Sequence, residues 1–188
     1  MQSYSRMLRK IMIHDSHYWK DDLLKLSRKL ESRLLQTRWG DRNLYIIEKE
    51  IFIGFYSVRK LIESKKISDS IKSKSYEIKE FPHNGNQGSV SDPYRLEDYV
   101  LTQEKIVKLS VAMICNQFIH SYHFIPYFHN GKNLTGFYFC SDHKSSTSLY
   151  FIYLNDIIDI FSITGNNYPS TMRFFRSQKG KIITEIGE

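Results

Sequence analysis

The stretch Cys115–Gly131, CNQFIHSYHFIPYFHNG, is where one hydrophobic periodicity gives way to another. Up to His120 the apolar residues recur at helical spacing. Beyond it, "SYHFIPYF" reads as a strand that ends at Asn130-Gly131, a dipeptide suited to the positive φ angles of a tight hairpin turn. The fold class turns on this junction, with helices before it and a sheet after it. Working outward toward the C-terminus, "LTGFYFCS" and "SLYFIYL" read as two more strands, and Asn155 is placed to cap a short helix over 156–164 that Gly165 ends. A final hairpin runs from "MRFFR" to "KIITEI". Pro126 has no amide hydrogen to give to a ladder, which puts its strand at a sheet edge or at a bend.

Working outward toward the N-terminus, Ile106, Leu109, Met113, Ile114 and Gln117 predict a helix that starts at Thr102 at the latest. It is apolar around most of its circumference near "VAMIC", as a central helix would be. Before it, 64–93 is rich in Ser, Lys, Asn and Gly, reads as a long polar loop centred on "HNGNQGSVSDP", and offers only Tyr76, Ile78 and Phe81 for a short strand. Further back, Leu44, Ile47, Ile51, Phe55, Val58 and Ile62 lie at steps of three and four behind a capping Asp41. Trp19, Leu23, Leu26, Leu30 and Leu34 do the same behind Asp15 or Ser16, in a helix that Gly40 ends. These two helices form an antiparallel hairpin. Gly54, inside the second, costs about 1 kcal/mol against alanine, so a close helix contact is the reason expected for it.

The expected architecture is therefore α+β in a single domain. An N-terminal three-helix layer, hairpin plus central helix, covers about 15–121; an antiparallel sheet with one additional short helix covers about 122–188.

A chain of 188 residues, 41% hydrophobic and 25% charged, belongs to the globular class rather than the disordered or fibrous ones. No apolar run reaches the roughly 18 to 20 residues of a membrane span, so the expectation is a soluble protein with no membrane partner. The N-terminal "MQSYSRMLRKIMIHDS" has basic residues followed by an apolar run too short for a secretion signal. Two cysteines, Cys115 and Cys140, make no disulfide framework and suit a reducing cytoplasm, with a single bridge between them left open.

Charge is unevenly placed. Residues 1–80 carry 18 Lys+Arg against 11 Asp+Glu, the whole net charge of +7, whereas the remainder balances at 9 and 9. Such asymmetry points to a polyanionic partner, RNA or DNA, with Arg28, Arg33, Arg38, Arg42, Arg59, Lys65 and Lys66 as the phosphate-contacting residues of a basic helical face. The plainer alternative is a solvated helical surface.

Three motifs carry possible chemistry. Asn116 and His120, four residues apart, share one helix face. The run Cys115-Asn116-Gln117-Phe118-Ile119-His120 resembles half of the signature of the HEPN ribonucleases, in which an arginine precedes the polar residue; Cys115 stands in its place here. The resemblance implies His120 acting on the RNA 2′-hydroxyl or leaving oxygen, beside Asn116, in a site completed by dimerisation. Next, His120 with His123 and Cys140 with His143 form two pairs of zinc-type ligands separated by a hairpin; their spacing matches no familiar zinc site, and ordinary core is the competing role for Cys140. Last, "GFYFC" resembles the aromatic strand of the RNA-recognition motif at Gly136, Phe137 and Phe139, although alternation alone already puts the two phenylalanines on one side and Tyr138 on the other.

There is no phosphate-cradling Gly-rich loop and no Gly-flanked serine nucleophile. Asp156 and Asp159, on one face of the short helix, are expected to be its solvated first turn. No cofactor is called for. Two functions remain: nucleic-acid (RNA) binding through the basic helical face, with a weak HEPN-like ribonuclease activity as its sharper form, and a non-catalytic protein-interaction or homodimerising module for which the Tyr and Phe content is suitable material.

Overall fold

The computed structural model describes residues 13, 15–85, 95–178, 180 and 182–188. The readings placed on the first twelve residues and on most of "HNGNQGSVSDP" lie outside the described residues.

The hairpin of helices is present as α1 (His17–Arg33) and α2 (Asp41–Glu63). Leu23 and Leu30 of α1 and Ile47, Ile51, Phe55 and Val58 of α2 are buried as the steps of three and four predict, but Leu61 rather than Ile62 fills the last inward position of α2, and Leu34 lies past the end of α1 and is exposed. The stripe of α1 also contains Lys20 and Ser27. Past the end of α2, the Lys65 amide donates to the Ile62 carbonyl and the Lys66 amide to the Leu61 carbonyl. This pair of bonds needs a left-handed residue at Lys65, φ 59°, where helices ordinarily place glycine.

The polar stretch 64–93 is not one loop. It contains a short helix α3 (Asp69–Ser73) and strand β1 (Ser75–Pro82). Tyr76, Ile78 and Phe81 are the buried residues of that strand, and the Lys and Glu between them masked its alternation. The third helix also differs from expectation, since Lys105–Ser110 is strand β2 and the helix proper, α4, is Val111–Ile119. Ile106 and Leu109 thus belong to a strand, not to a helix beginning at Thr102. The physical reason is pairing: Leu109 and Val107 lie opposite Tyr76 and Ile78 on β1, a neighbour too distant in sequence for local spacing to reveal. Ser110 then caps α4 by accepting the Met113 amide at 3.3 Å. Two strands therefore come from the part expected to be helical.

After α4 come β3 (Ser121–His129), β4 (Asn133–Ser141), a one-turn helix α5 (Asp142–Ser145), β5 (Ser148–Tyr153), α6 (Leu154–Asn166) and a separate ribbon of β6 (Thr171–Arg176) with β7 (Ile182–Gly187). The turn between β3 and β4 has Asn130 at φ 52° and Gly131 at φ 67°, as the dipeptide predicts. The main sheet is antiparallel in the order β2-β1-β5-β4-β3, so the Pro126 strand is indeed an edge, and it bulges beside Tyr127. Helix α6 starts one residue before Asn155, with Tyr153 at the cap, and runs through Gly165 rather than ending there; the glycine serves close packing, since a Cβ there would stand 2.7 Å from Leu24 Cγ and 3.0 Å from the Lys20 carbonyl oxygen.

The architecture is α+β, with helices α4 and α6 against one sheet face and the α1–α2 hairpin outside them. Asp159, read as a solvated residue, instead ties α6 to β1 by accepting from Lys74 Nζ at 2.8 Å and from the Tyr76 hydroxyl at 2.6 Å. Burial raises its carboxyl pKa, but these two bonds outweigh burial and hold it below the ordinary value. A depressed carboxylate stabilises the fold above the unfolded-state pKa, about 3.9, and that contribution is lost as pH falls toward the folded value. Asp159→Asn should therefore flatten the acid limb of stability in urea unfolding followed between pH 6 and pH 2. An unchanged pH slope would show the tie to be idle.

Candidate nucleic-acid interface

The seven cations singled out from sequence do not form one face. An antiparallel hairpin has two ends, and α1, with 17 residues, separates them by about 25 Å. At the connector end stand Arg33 on the last turn of α1, Arg38 in the connector and Arg42 on the first turn of α2, with Arg28 a turn further in. Here the Trp39 indole nitrogen donates to the carbonyls of Gln36 at 3.1 Å and Lys132 at 3.0 Å, so the connector is pinned to the β3–β4 turn and Lys132 joins this end. At the opposite end Lys65 and Lys66 follow α2 and meet Lys20 from the start of α1. Arg59 lies between, on the side of α2 that faces α4.

Among the described residues, Arg59 alone of the seven has a carboxylate partner, Glu63, with Nε to Oε1 at 2.6 Å. Hydrogen bonds from Arg59 and Lys60 hold the Glu63 carboxyl below its usual range. Arg28 spends its Nε on the Leu24 carbonyl, and Arg33 donates to Gln36 Oε1 at 2.6 Å, but neither is neutralised. Arg38, Arg42 and Lys65 are exposed. Arg42 moreover sits at the positive end of the α2 dipole, where a cation is disfavoured, so its position does not serve the helix.

Asn116 and His120 share one face of α4, as their four-residue spacing requires, and that face is exposed. His120 ends the helix: its amide donates to the Asn116 carbonyl at 3.2 Å, and its own carbonyl accepts the Asp142 amide at 3.0 Å. The Arg59 guanidinium, which comes from α2, donates to the Asn116 side-chain oxygen, so an arginine meets Asn116 across two helices. Sequence spacing could not bring them together, since they stand 57 positions apart. Cys115 itself is fully buried, and burial pushes its thiol pKa up strongly.

The four zinc-type ligands do not assemble. His123 and Cys140 are buried partners across β3 and β4, while His120 and His143 are exposed. Among the described residues no three His, Cys, Asp or Glu side chains gather as a metal site would require. Burial pushes the Cys140 thiol up to about 11 and the His123 ring below its ordinary value, as expected of core groups. Cys115 and Cys140 are separate free thiols. Phe137 and Phe139, the residues that resemble an RNA-stacking strand, are wholly buried against the helices and present no ring to a base.

Tyr138 does reach the opposite sheet face. There Phe81, Tyr127, Tyr138, Phe151 and Tyr153 line a cleft of about 290 Å³, with Tyr127 and Tyr153 each 41% exposed and the Lys79–Glu104 ion pair at its rim. This aromatic face was missed because its members are spread over three strands and β1. Alternation within each strand was its signal. Among the described residues, no helix is long and apolar enough to cross a membrane. Comparison with protein-family models, with curated proteins and with solved structures finds no match for this chain.

Proposed function

We propose that the protein binds nucleic acid, RNA in the first instance, through the cations at the two ends of the α1–α2 hairpin. The observation that carries this reading is the missing neutralisation: six of the seven cations have no carboxylate partner among the described residues. A surface built for its own stability pairs its charges or disperses them; an uncompensated cluster raises the local concentration of phosphates. In the sharper form, His120 serves the 2′-hydroxyl or the leaving oxygen, and Arg59, whose guanidinium donates to the Asn116 side chain, takes the phosphate-neutralising role.

Fluorescence anisotropy with labelled single-stranded RNA and duplex DNA tests the binding. With six phosphate contacts, affinity should fall about a thousandfold between 50 and 200 mM salt. Arg38→Ala with Arg42→Ala should reduce the log–log salt slope by about 2. No binding at low salt would remove the proposal. Running the same samples on a denaturing gel tests cleavage: His120→Ala should abolish it while leaving binding nearly intact, and a mutant that cleaves as well as the parent ends the catalytic form.

The aromatic cleft on the sheet favours a second reading, a protein-interaction or homodimerising module, since Tyr-rich surfaces suit such contacts. Its association would be insensitive to salt, which is how sedimentation at low and high ionic strength separates it from the first.

A further inference from the structure

Lys20 belongs by position to the core and by chemistry to the surface. It is 1% exposed on the buried stripe of α1, yet among the described residues no carboxylate pairs with it. Its ammonium lies 4.0 Å from the centre of the Tyr168 ring, a contact that offsets only part of the cost of removing a charge from water. The second nearby charge makes this worse, because Lys66 is also a cation, and burial together with Lys66 lowers the Lys20 pKa to about 8. Lys65, the third, is held there by its left-handed backbone at φ 59°.

The three lysines line a cleft of about 280 Å³ whose other walls include the Ser16, Ser170 and Thr171 residues and the apolar Tyr168, Met172 and Ile186. The acidic residues flanking the three lysines have other partners: Asp15, ahead of α1, accepts the His17 amide at 2.9 Å, Asp21 pairs with His17 Nε2 at 3.1 Å, Asp22 pairs with Lys25 at 2.9 Å, and Asp69 accepts the Ile186 amide at 3.0 Å and pairs with Lys72 at 3.6 Å. A buried, uncompensated cation beside two more in an open cleft needs an anion from outside. The cleft is larger than an inorganic phosphate requires, and its walls are part hydroxyl and part apolar.

We infer that this cleft is a binding site for a phosphate monoester, whose dianionic head meets Lys20, Lys65 and Lys66 while its organic part covers the Tyr168 and Met172 side. The inference shares Lys65 and Lys66 with the nucleic-acid reading but does not depend on it, since a small phosphorylated molecule satisfies it as well as the 5′ phosphate of an RNA.

The test is calorimetric titration and thermal shift of the full chain at 150 mM salt with adenosine 5′-monophosphate, with adenosine as the control. The monophosphate should bind and raise the melting temperature; adenosine should do neither. Lys65→Gly is the informative variant, because glycine suits the positive φ: its ligand-free melting temperature should equal or exceed the parent's, while monophosphate affinity falls at least tenfold. Lys20→Met should likewise melt no lower than the parent without ligand and lose the monophosphate-dependent shift.

Oligoribonucleotides with a 5′ phosphate and with a 5′ hydroxyl separate the two sources. A phosphate-dependent gain that disappears in Lys65→Gly identifies the RNA end; equal binding of both oligonucleotides with retained monophosphate binding identifies a small ligand. If the monophosphate binds and neither RNA does, the phosphate site stands and the RNA reading falls. If both RNAs bind equally and the monophosphate binds no better than adenosine, or if Lys65→Gly and Lys20→Met leave its affinity unchanged, the site is refuted.

Discussion

Phe118→Ala is expected to remove about 3–5 kcal/mol of stability, the cost of deleting a fully packed aromatic side chain. Its ring lies nearly parallel to Phe55 of α2 at 4.0 Å between centroids and to Phe139 of β4 at 4.5 Å, with edge contacts to Phe52 and Phe124. One side chain therefore joins the outer helix, the central helix and the sheet, and nothing adjacent can relax into the void without moving one of those layers. Against a total stability of about 5–15 kcal/mol for a typical domain, the loss is a large fraction. Met113, on the exposed side of the same helix, supplies the contrast: Met113→Ala should change stability by no more than about 0.5 kcal/mol. Urea unfolding followed by circular dichroism measures both. A Phe118→Ala midpoint close to the parent's, with an unchanged slope, would mean that the three-ring stack is not the centre of the core.

Phe118 lies within the stretch where helical spacing gives way to alternation, and its role shows what was legible there. The change of period at His120, the Asn130-Gly131 turn and the edge position of Pro126 are local properties, and each reappears in the structure. The α1–α2 hairpin was legible for the same reason, because its apolar residues repeat within a single element. Strands β1 and β2 were obscured because their evidence is not local. Ile106 and Leu109 fit a helix as well as a strand until Lys79 and Tyr76 are placed beside them. The α+β class survived that error, since the two strands add to a sheet already required by β3, β4 and β5.

The site was less legible than the fold. Charge counting located the cations but gave no means of telling a neutralised one from a free one, so Arg59 and Arg38 carried equal weight in sequence. Lys20 was passed over, although stepping back from Leu30 through Ser27 and Leu23 along the buried stripe arrives at it. A charge on an apolar stripe was the available signal. The meeting of Arg59 with Asn116 depends on how α2 crosses α4, which no spacing within either helix encodes.

Gly54 marks another such crossing, and here one residue type does encode it. Helix α2 accepts a glycine at mid-length, and a Cβ added there would stand 2.2 and 2.3 Å from two ring carbons of Phe161 on α6. That ring is fully buried and makes an edge contact with Phe55 at 5.1 Å, so it has no free direction in which to turn. Two effects oppose each other in Gly54→Ala. Helix propensity favours alanine by about 1 kcal/mol, while overpacking a core contact costs about 1–3 kcal/mol and more when neighbours cannot move. At 2.2 Å the steric effect should win, giving a net loss of about 2 kcal/mol or more. The two can be separated by removing the ring. In a Phe161→Leu background, itself less stable than the parent, Gly54→Ala should become neutral or stabilising by up to about 1 kcal/mol, and the double-mutant cycle should report a coupling of about 2 kcal/mol or more. Equal destabilisation by Gly54→Ala in both backgrounds would mean that Phe161 is not what requires the glycine, and that α2 and α6 do not cross at this point in solution.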